Sequence, residues 1–218
     1  MAATIKINHV SKKHLEEIWA QVPVNYYDLG IANNPFQKFW HKQKLAQILK
    51  LLPFAPEKVI DIGCSSAVLT AEIAKRLPKS NVIGVDSYKA AIDFARKKYP
   101  HMEFFAADAH KLPFKSNTFD LVICTETLEH VIDPFGVLKE IKRLLKRDGK
   151  VIISMDSGSL LFRIAWYFWT KFKGKVWKDA HLHEFNTNIL ENLIKKSGFR
   201  IKIKKISHFG MSVIFLAS

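Results

Sequence analysis

An apolar run, Lys58-Val59-Ile60, passes through Asp61-Ile62-Gly63-Cys64-Ser65-Ser66-Ala67 into the helical pattern Val68-Leu69-Thr70-Ala71-Glu72-Ile73-Ala74. Small residues at 63, 65 and 67 let the backbone turn sharply and approach a ligand that an ordinary Cβ would hold off. Such a segment folds as a strand, a tight loop and a helix around an adenosine-bearing cofactor. A dinucleotide fingerprint needs a third glycine five residues after the first, where helix and strand pack around a pyrophosphate. Val68 holds that position, which argues against NAD and FAD.

Hydrophobic period and breakers predict further strands at 81–85, 102–106, 119–124 and 149–154 beside the first at 58–62, with helices at about 66–77, 88–98 and 134–146. That alternation specifies a parallel sheet with right-handed crossovers. Thr187 to Gly198 reads as a helix with a threonine cap and a glycine stop, and Arg200–Ser207 and Met211–Ala217 read as two closing strands. Asn81-Val-Ile-Gly-Val-Asp86 ends in an acid about twenty residues past the loop, the separation at which a carboxylate reaches ribose hydroxyls. Asp86, with Ser87 beside it, also suits a cap on the following helix, and the two roles are compatible.

Two more strand ends complete the series: Met102-Glu-Phe-Phe-Ala-Ala-Asp108-Ala109, and Thr118-Phe-Asp120-Leu-Val-Ile-Cys124-Thr125-Glu126-Thr-Leu-Glu129-His130-Val-Ile-Asp133-Pro134. These motifs, in this order over residues 57–154, resemble the class I S-adenosylmethionine-dependent methyltransferases. The Glu-His-Val-x-Asp-Pro run is similar to that of the small-molecule and lipid methyltransferases related to the ubiquinone-pathway enzymes. The resemblance implies an α/β fold, a Rossmann-like, doubly wound, seven-stranded mixed sheet with a terminal antiparallel strand pair. It implies S-adenosylmethionine as cofactor, held by Asp61, Gly63, Ser65, Ala67, Asp86, Ser87, Asp108, Ala109 and Thr125. Ser65 and Ala67 stand where the family carries glycine; their backbone is expected to be unstrained. That departure keeps open a methyltransferase-fold partner subunit without catalysis.

Two regions fall outside this scaffold. Residues 1–50 are expected to form an N-terminal helical cap or lid, with Lys42–Leu52 as its clearest helical stretch, and residues 51–218 the methyltransferase domain with an insertion at about 156–186. Tyr26 and Tyr27 in the first, and Trp166 and Trp169 in the second, are the candidates to contact substrate or close over it. Residues 159–178 read as an amphipathic helix, Arg163, Tyr167, Thr170 and Lys171 forming a narrow polar stripe among Leu160, Leu161, Ile164, Trp166, Phe168 and Trp169. It either packs in the core or lies at the headgroup boundary of an anionic membrane. Histidine has the pKa best suited to general-base work; His130, past the fourth strand, and His183, before the last helix, are the catalytic candidates.

The 218 residues suffice for one core, and a net charge of +14 with pI near 9.7 suits nucleic acid, phospholipid or an acidic substrate alike. An RNA or DNA methyltransferase is therefore the rival reading. Against it, the fourth strand ends Cys-Thr-Glu-Thr, without the Asn/Asp-Pro-Pro-aromatic turn of base amino-methyltransferases, and no Pro-Cys nucleophile is present. Nucleic acid is thus a less favoured partner than a small-molecule or lipid-like substrate. Cys64 and Cys124 read as free thiols in a reducing cytoplasm. The N-terminus lacks a signal-peptide core and no apolar run is long enough to span a bilayer, so a cytoplasmic enzyme is expected, with peripheral contact at the inner membrane face as the membrane alternative. His181-Leu-His183-Glu184 lacks a second ligand pair at zinc-like spacing, and no metal is expected.

Overall fold

The computed structural model describes residues 12–52, 55–172, 174, 177 and 181–218. Strands β1 (Lys58–Ile62), β2 (Asn81–Asp86), β3 (Glu103–Ala106), β4 (Phe119–Thr125), β5 (Leu145–Asp156), β6 (Ile201–Ser207) and β7 (Ser212–Ala217) form one seven-stranded sheet in the order β3-β2-β1-β4-β5-β7-β6. β1 to β5 pair in parallel, and β7 runs antiparallel between β5 and β6. This is the mixed Rossmann-like sheet with the terminal antiparallel pair. Strand order reverses between β1 and β4, and the crevice outside their carboxyl ends is where open α/β sheets bind ligands.

The central strands are largely apolar because both faces are covered. Successive side chains of β1 go to opposite layers. Ile60 and Ile62 pack with Val122, Phe215 and the inner face of helix α6 (Pro134–Leu144). Val59 packs with Leu121, Ile152 and Ile214, and with Ile48 of helix α3 (Pro35–Lys50) and Ile73 of helix α4 (Val68–Arg76). Helix α5 (Lys89–Lys98) covers β2 and β3 through Ile92 and Ala95.

Local chemistry moves several boundaries. α3 begins seven residues before the expected Lys42, because Asn34 Oδ1 accepts from the N–H of Phe36 (3.0 Å) and Gln37 (3.3 Å) and Pro35 occupies the first turn. Before it lie α1 (Lys12–Ala20) and α2 (Tyr26–Asn33). The last helix, α8 (Thr187–Lys196), is capped by Asn186 rather than Thr187: Asn186 Oδ1 accepts from Asn188 N (3.0 Å) and Ile189 N (2.9 Å). Thr187 Oγ1 is directed to Ser157 O instead. Gly198, at φ +90°, stops the chain as expected. α6 ends at Leu144, and β5 starts at once but bulges, its register jumping from Phe119↔Leu145 to Leu121↔Lys150. Lys146 in that bulge reaches Asp120 at 2.7 Å.

Helix α7 spans Leu160–Phe172, not the full 159–178; Lys173, Lys175 and Lys178 of that expected segment lie outside the described residues. α7 has no fully buried residue. Leu160, Leu161, Ile164, Phe168 and Phe172 are exposed, Leu160 and Phe172 by more than 70%. Among the described residues no helix is long and apolar enough to cross a membrane.

Candidate active site

The β1–α4 loop is built for close backbone approach. Gly63 has φ +82°, and a Cβ there would lie 2.1 Å from Thr127 Oγ1, which itself donates to Ile62 O (3.2 Å) or Thr125 O (3.0 Å). Ser65 (φ +48°) and Ala67 (φ +62°) are also left-handed. The expectation that their backbone is unstrained is therefore corrected: the loop keeps a glycine-type path with a Cβ present, at roughly 1–2 kcal/mol per residue. Part of the compensation is visible, since Ser65 N donates to Asp86 Oδ2 at 2.8 Å and Ala67 N to Cys64 O at 2.8 Å.

Asp86 holds more than the loop. Its Oδ1 accepts from Tyr88 N at 2.8 Å, at the start of α5. Burial raises its pKa above the usual carboxylate value, opposed by the N–H groups of Tyr88, Ser65 and Ser87. Together with Gly63, Ser65, Ser87, Asp108 and Ala109 it lines a cleft of about 580 Å³ along the carboxyl edge of the sheet. Asp108 accepts from His110 N (3.0 Å) and contacts His110 Nδ1 (2.6 Å). Six of the nine residues expected to bind a cofactor thus meet there.

The other three do not line it. Asp61 is buried beneath the loop, its Oδ2 accepting from Thr70 Oγ1 at 2.6 Å, with burial pushing its pKa up to about 6. Ala67 is fully buried as the residue before α4. Thr125 is buried at the end of β4, and the neighbouring position that does face the cleft is Thr127. A strand end two residues longer or shorter is below the resolution of hydrophobic periodicity, so Thr127 carried no sequence signal of its own.

A second, smaller chamber of about 160 Å³ adjoins the cleft, and the two share Tyr27, Glu126, His130 and Trp177 as wall. All four residues expected to contact substrate, Tyr26, Tyr27, Trp166 and Trp169, come to this chamber from α2 and α7. The rings interlock edge to face: Tyr26 with Trp177 (5.4 Å between centroids), Tyr27 with His41 (5.4 Å) and Trp19 with His130 (5.1 Å). Of the two catalytic candidates, His130 sits on the shared wall. His183 lines neither cavity: it is 3% exposed and its Nε2 contacts Val131 O at 2.8 Å, a fastening of the chain segment before α8.

Several groups lining the chamber were not among the residues expected to catalyse or to bind substrate. His181 stacks on Trp166 (4.5 Å) and lies 4.9 Å from the His130 ring; burial lowers its pKa to about 3, as it does for His41, so both rings are neutral. Glu126 and Glu129 follow β4, Asp156 ends β5, and Lys44 Nζ lies 3.3 Å from Glu126 Oε1. Burial raises the pKa of both Glu129 and Asp156, and the carboxylate of Glu126 adds to it. Glu129, His130 and His181 form one group, and Glu126, Glu129 and Asp156 another, whose ligand atoms lie within 4.8 Å of one another.

Residues 60–153 match the family described as methyltransferase domain. A demethylmenaquinone methyltransferase of Thermotoga maritima is 25% identical over 224 residues, which cover 94% of this chain and 96% of that one. A demethylmenaquinone methyltransferase of Lactobacillus johnsonii is 32% identical over 157 residues, or 66% of this chain and 61% of its own. Among solved structures, a Thermotoga maritima protein described as an SAM-dependent methyltransferase, possible histamine N-methyltransferase, has a TM-score of 0.71 at 24% identity, with 94% of this chain and 99% of that one covered. That likeness bears on the fold.

Proposed function

Because the chain is an S-adenosylmethionine-dependent methyltransferase, we propose that the cleft at the carboxyl edge holds the methyl donor and that the aromatic chamber holds a small or lipid-like acceptor. The observation that carries this reading is that the two cavities adjoin and share Tyr27, Glu126, His130 and Trp177 as wall. The cleft fits the donor. Gly63 leaves backbone bare where a Cβ would collide with Thr127, and Asp86 presents a carboxylate to a ribose diol while its backbone partners hold it in place. Asp108 and Ala109 border the same cleft, where an adenine would lie.

When bound, S-adenosylmethionine supplies an already activated methyl group. The protein's task is then chiefly to align a nucleophile, which can provide on the order of 7–11 kcal/mol of the barrier. Rings from α2, α3 and α7 line the chamber and would keep water from competing with the acceptor. His130, on the shared wall, is the histidine placed beside the acceptor.

Asp86→Ala is expected to weaken S-adenosylhomocysteine binding about 10- to 100-fold, the scale of losing charge-assisted hydrogen bonds. Calorimetry measures it. Unchanged affinity would reduce Asp86 to a brace for the loop and α5. Mass-spectrometric detection of methyl incorporation from labelled donor into a cell extract would identify the acceptor.

The outer face of α7 supports presentation from a membrane. Leu160, Ile164, Phe168 and Phe172 follow one another at i+4 and are exposed, while Phe162, Ala165, Trp166 and Trp169 of the same helix line the chamber. Phe36, at the chamber's edge on α3, is also exposed. An apolar strip beside a chamber mouth, on a chain of net charge +14, suits an anionic bilayer. Anionic vesicles should sediment the protein at low salt and release it at high salt, and Ile164→Ser with Phe168→Ser should abolish sedimentation without altering S-adenosylhomocysteine binding. Protein left in the supernatant at low salt would make the strip a cover for a soluble acceptor's pocket.

A further inference from the structure

We propose that the chamber receives an amine, held as its ammonium by Glu126, Glu129 and Asp156 inside the aromatic wall, and that this nitrogen is the methyl acceptor. The inference rests on the methyltransferase reading above and specifies its acceptor.

Three carboxylates from the ends of β4 and β5 converge, with one oxygen of each within 4.8 Å of the others. Gathering like charges out of water is costly unless a cation balances them. Lys44 meets Glu126 at 3.3 Å. Glu129 is 3% exposed, has the His130 ring 4.0 Å from its Oε1, and its Oε2 finds no hydrogen-bond partner among the described residues. A buried carboxylate oxygen left so beside a cavity is a vacancy for a donor. Glu126 is held there against its own preference: it adopts φ +50°, fixed by Glu126 N to Ser154 O (2.8 Å) and Ser154 Oγ to Glu126 Oε1 (3.1 Å).

The rest of the wall selects among cations. Tyr26, Tyr27 and Trp166 line the same chamber, and an aromatic ring attracts an ammonium on an organic skeleton over its face. A divalent ion wants six or more oxygen ligands, and here it would also face the Lys44 charge at close range. An ammonium carries a single charge and donates N–H bonds, and so can share the trio with Lys44.

The chemistry balances. An ammonium nitrogen has no lone pair, so one N–H proton must first pass to Glu129, which the bound cation keeps ionised and which burial and the charge of Glu126 favour in the protonated form once the amine is neutral; that proton leaves to solvent with the product. The freed lone pair then forms the N–C bond to the methyl group as the methyl–sulfur bond breaks, its electron pair staying on sulfur. The methylated amine leaves as a cation, and the sulfonium charge is gone.

The test uses the protein saturated with S-adenosylhomocysteine and two probes of like shape, 2-phenylethylamine and 2-phenylethanol, followed by saturation-transfer NMR and calorimetry. The amine should bind saturably and at least tenfold more tightly than the alcohol. Glu129→Gln and Asp156→Asn, each checked by its melting temperature, should each erase that preference and leave alcohol and S-adenosylhomocysteine affinities in place. Equal binding of amine and alcohol, no saturable amine binding, or an amine preference that survives both variants would overturn the proposal. Magnesium binding that needs the same two carboxylates and excludes the amine would overturn it in favour of a metal site. Failure to bind S-adenosylhomocysteine at all would count against the parent reading of the cleft instead.

Discussion

Gly63→Ala should cost this protein about 2–5 kcal/mol of stability and most of its affinity for S-adenosylhomocysteine. Two costs add. A φ of +82° is unfavourable for any residue with a Cβ, by roughly 1–2 kcal/mol. The new methyl would also sit 2.1 Å from Thr127 Oγ1 and 2.8 Å from Thr127 Cγ2, and relieving such overpacking typically costs 1–3 kcal/mol. Thr127 cannot yield freely, because its hydroxyl is committed to the carbonyls of Ile62 and Thr125 at the ends of β1 and β4. Urea denaturation and calorimetry measure the two losses. If Gly63→Ala is as stable as the parent, the loop must relax by a route the structure does not show. Thr127→Ser, which removes Cγ2, should restore part of the loss in the double variant.

The second expected result has the opposite sign. Asp61→Asn should stabilise the unliganded protein near neutral pH by up to about 3 kcal/mol, the equivalent of moving a carboxyl from 3.8 to about 6. The cause is burial, partly offset by the Thr70 hydroxyl that donates to Asp61 Oδ2. A raised folded-state pKa means that ionisation opposes folding. The parent's stability from this group is therefore fully present below about pH 4 and lost as pH rises through about 6. Asparagine keeps an acceptor for Thr70 without the charge. The stability difference between variant and parent should be near zero at pH 3.5 and reach its plateau above pH 7. Parallel pH profiles would show that Asp61 is solvated better than its burial indicates.

Much of the frame was written locally. Asp61, Asp86 and Asp108 each follow an apolar run, and strand ends in a parallel sheet share one edge, so their gathering needed only the alternation of strand and helix. The same logic carried His130 and the Gly63–Ser65 loop to that edge. It misplaced elements where one side chain overrides periodicity: Asn34 began α3 early and Asn186, not Thr187, capped α8. It assigned strain wrongly at Ser65 and Ala67, since composition shows that a residue is small but not which sign its φ takes.

The sequence by itself determined the sheet, its winding and the cleft, because each depends on periods and turns within about twenty residues. Only the tertiary structure decided what stands across from the cleft. Tyr26 and Tyr27 of α2, Lys44 of α3, Glu129 after β4, Asp156 at the end of β5 and Trp166 of α7 lie far apart in sequence, and they meet in one chamber as α3 packs on the sheet and α7 follows the end of β5. Which of two histidines two residues apart would face the chamber was decided in the same way. His181 turns its ring onto Trp166 beside His130, and His183 turns inward to the carbonyl of Val131. That choice follows from the direction of the backbone through Leu182 N and His183 N, both directed at Glu129 O, a contact across more than fifty residues that no local pattern encodes.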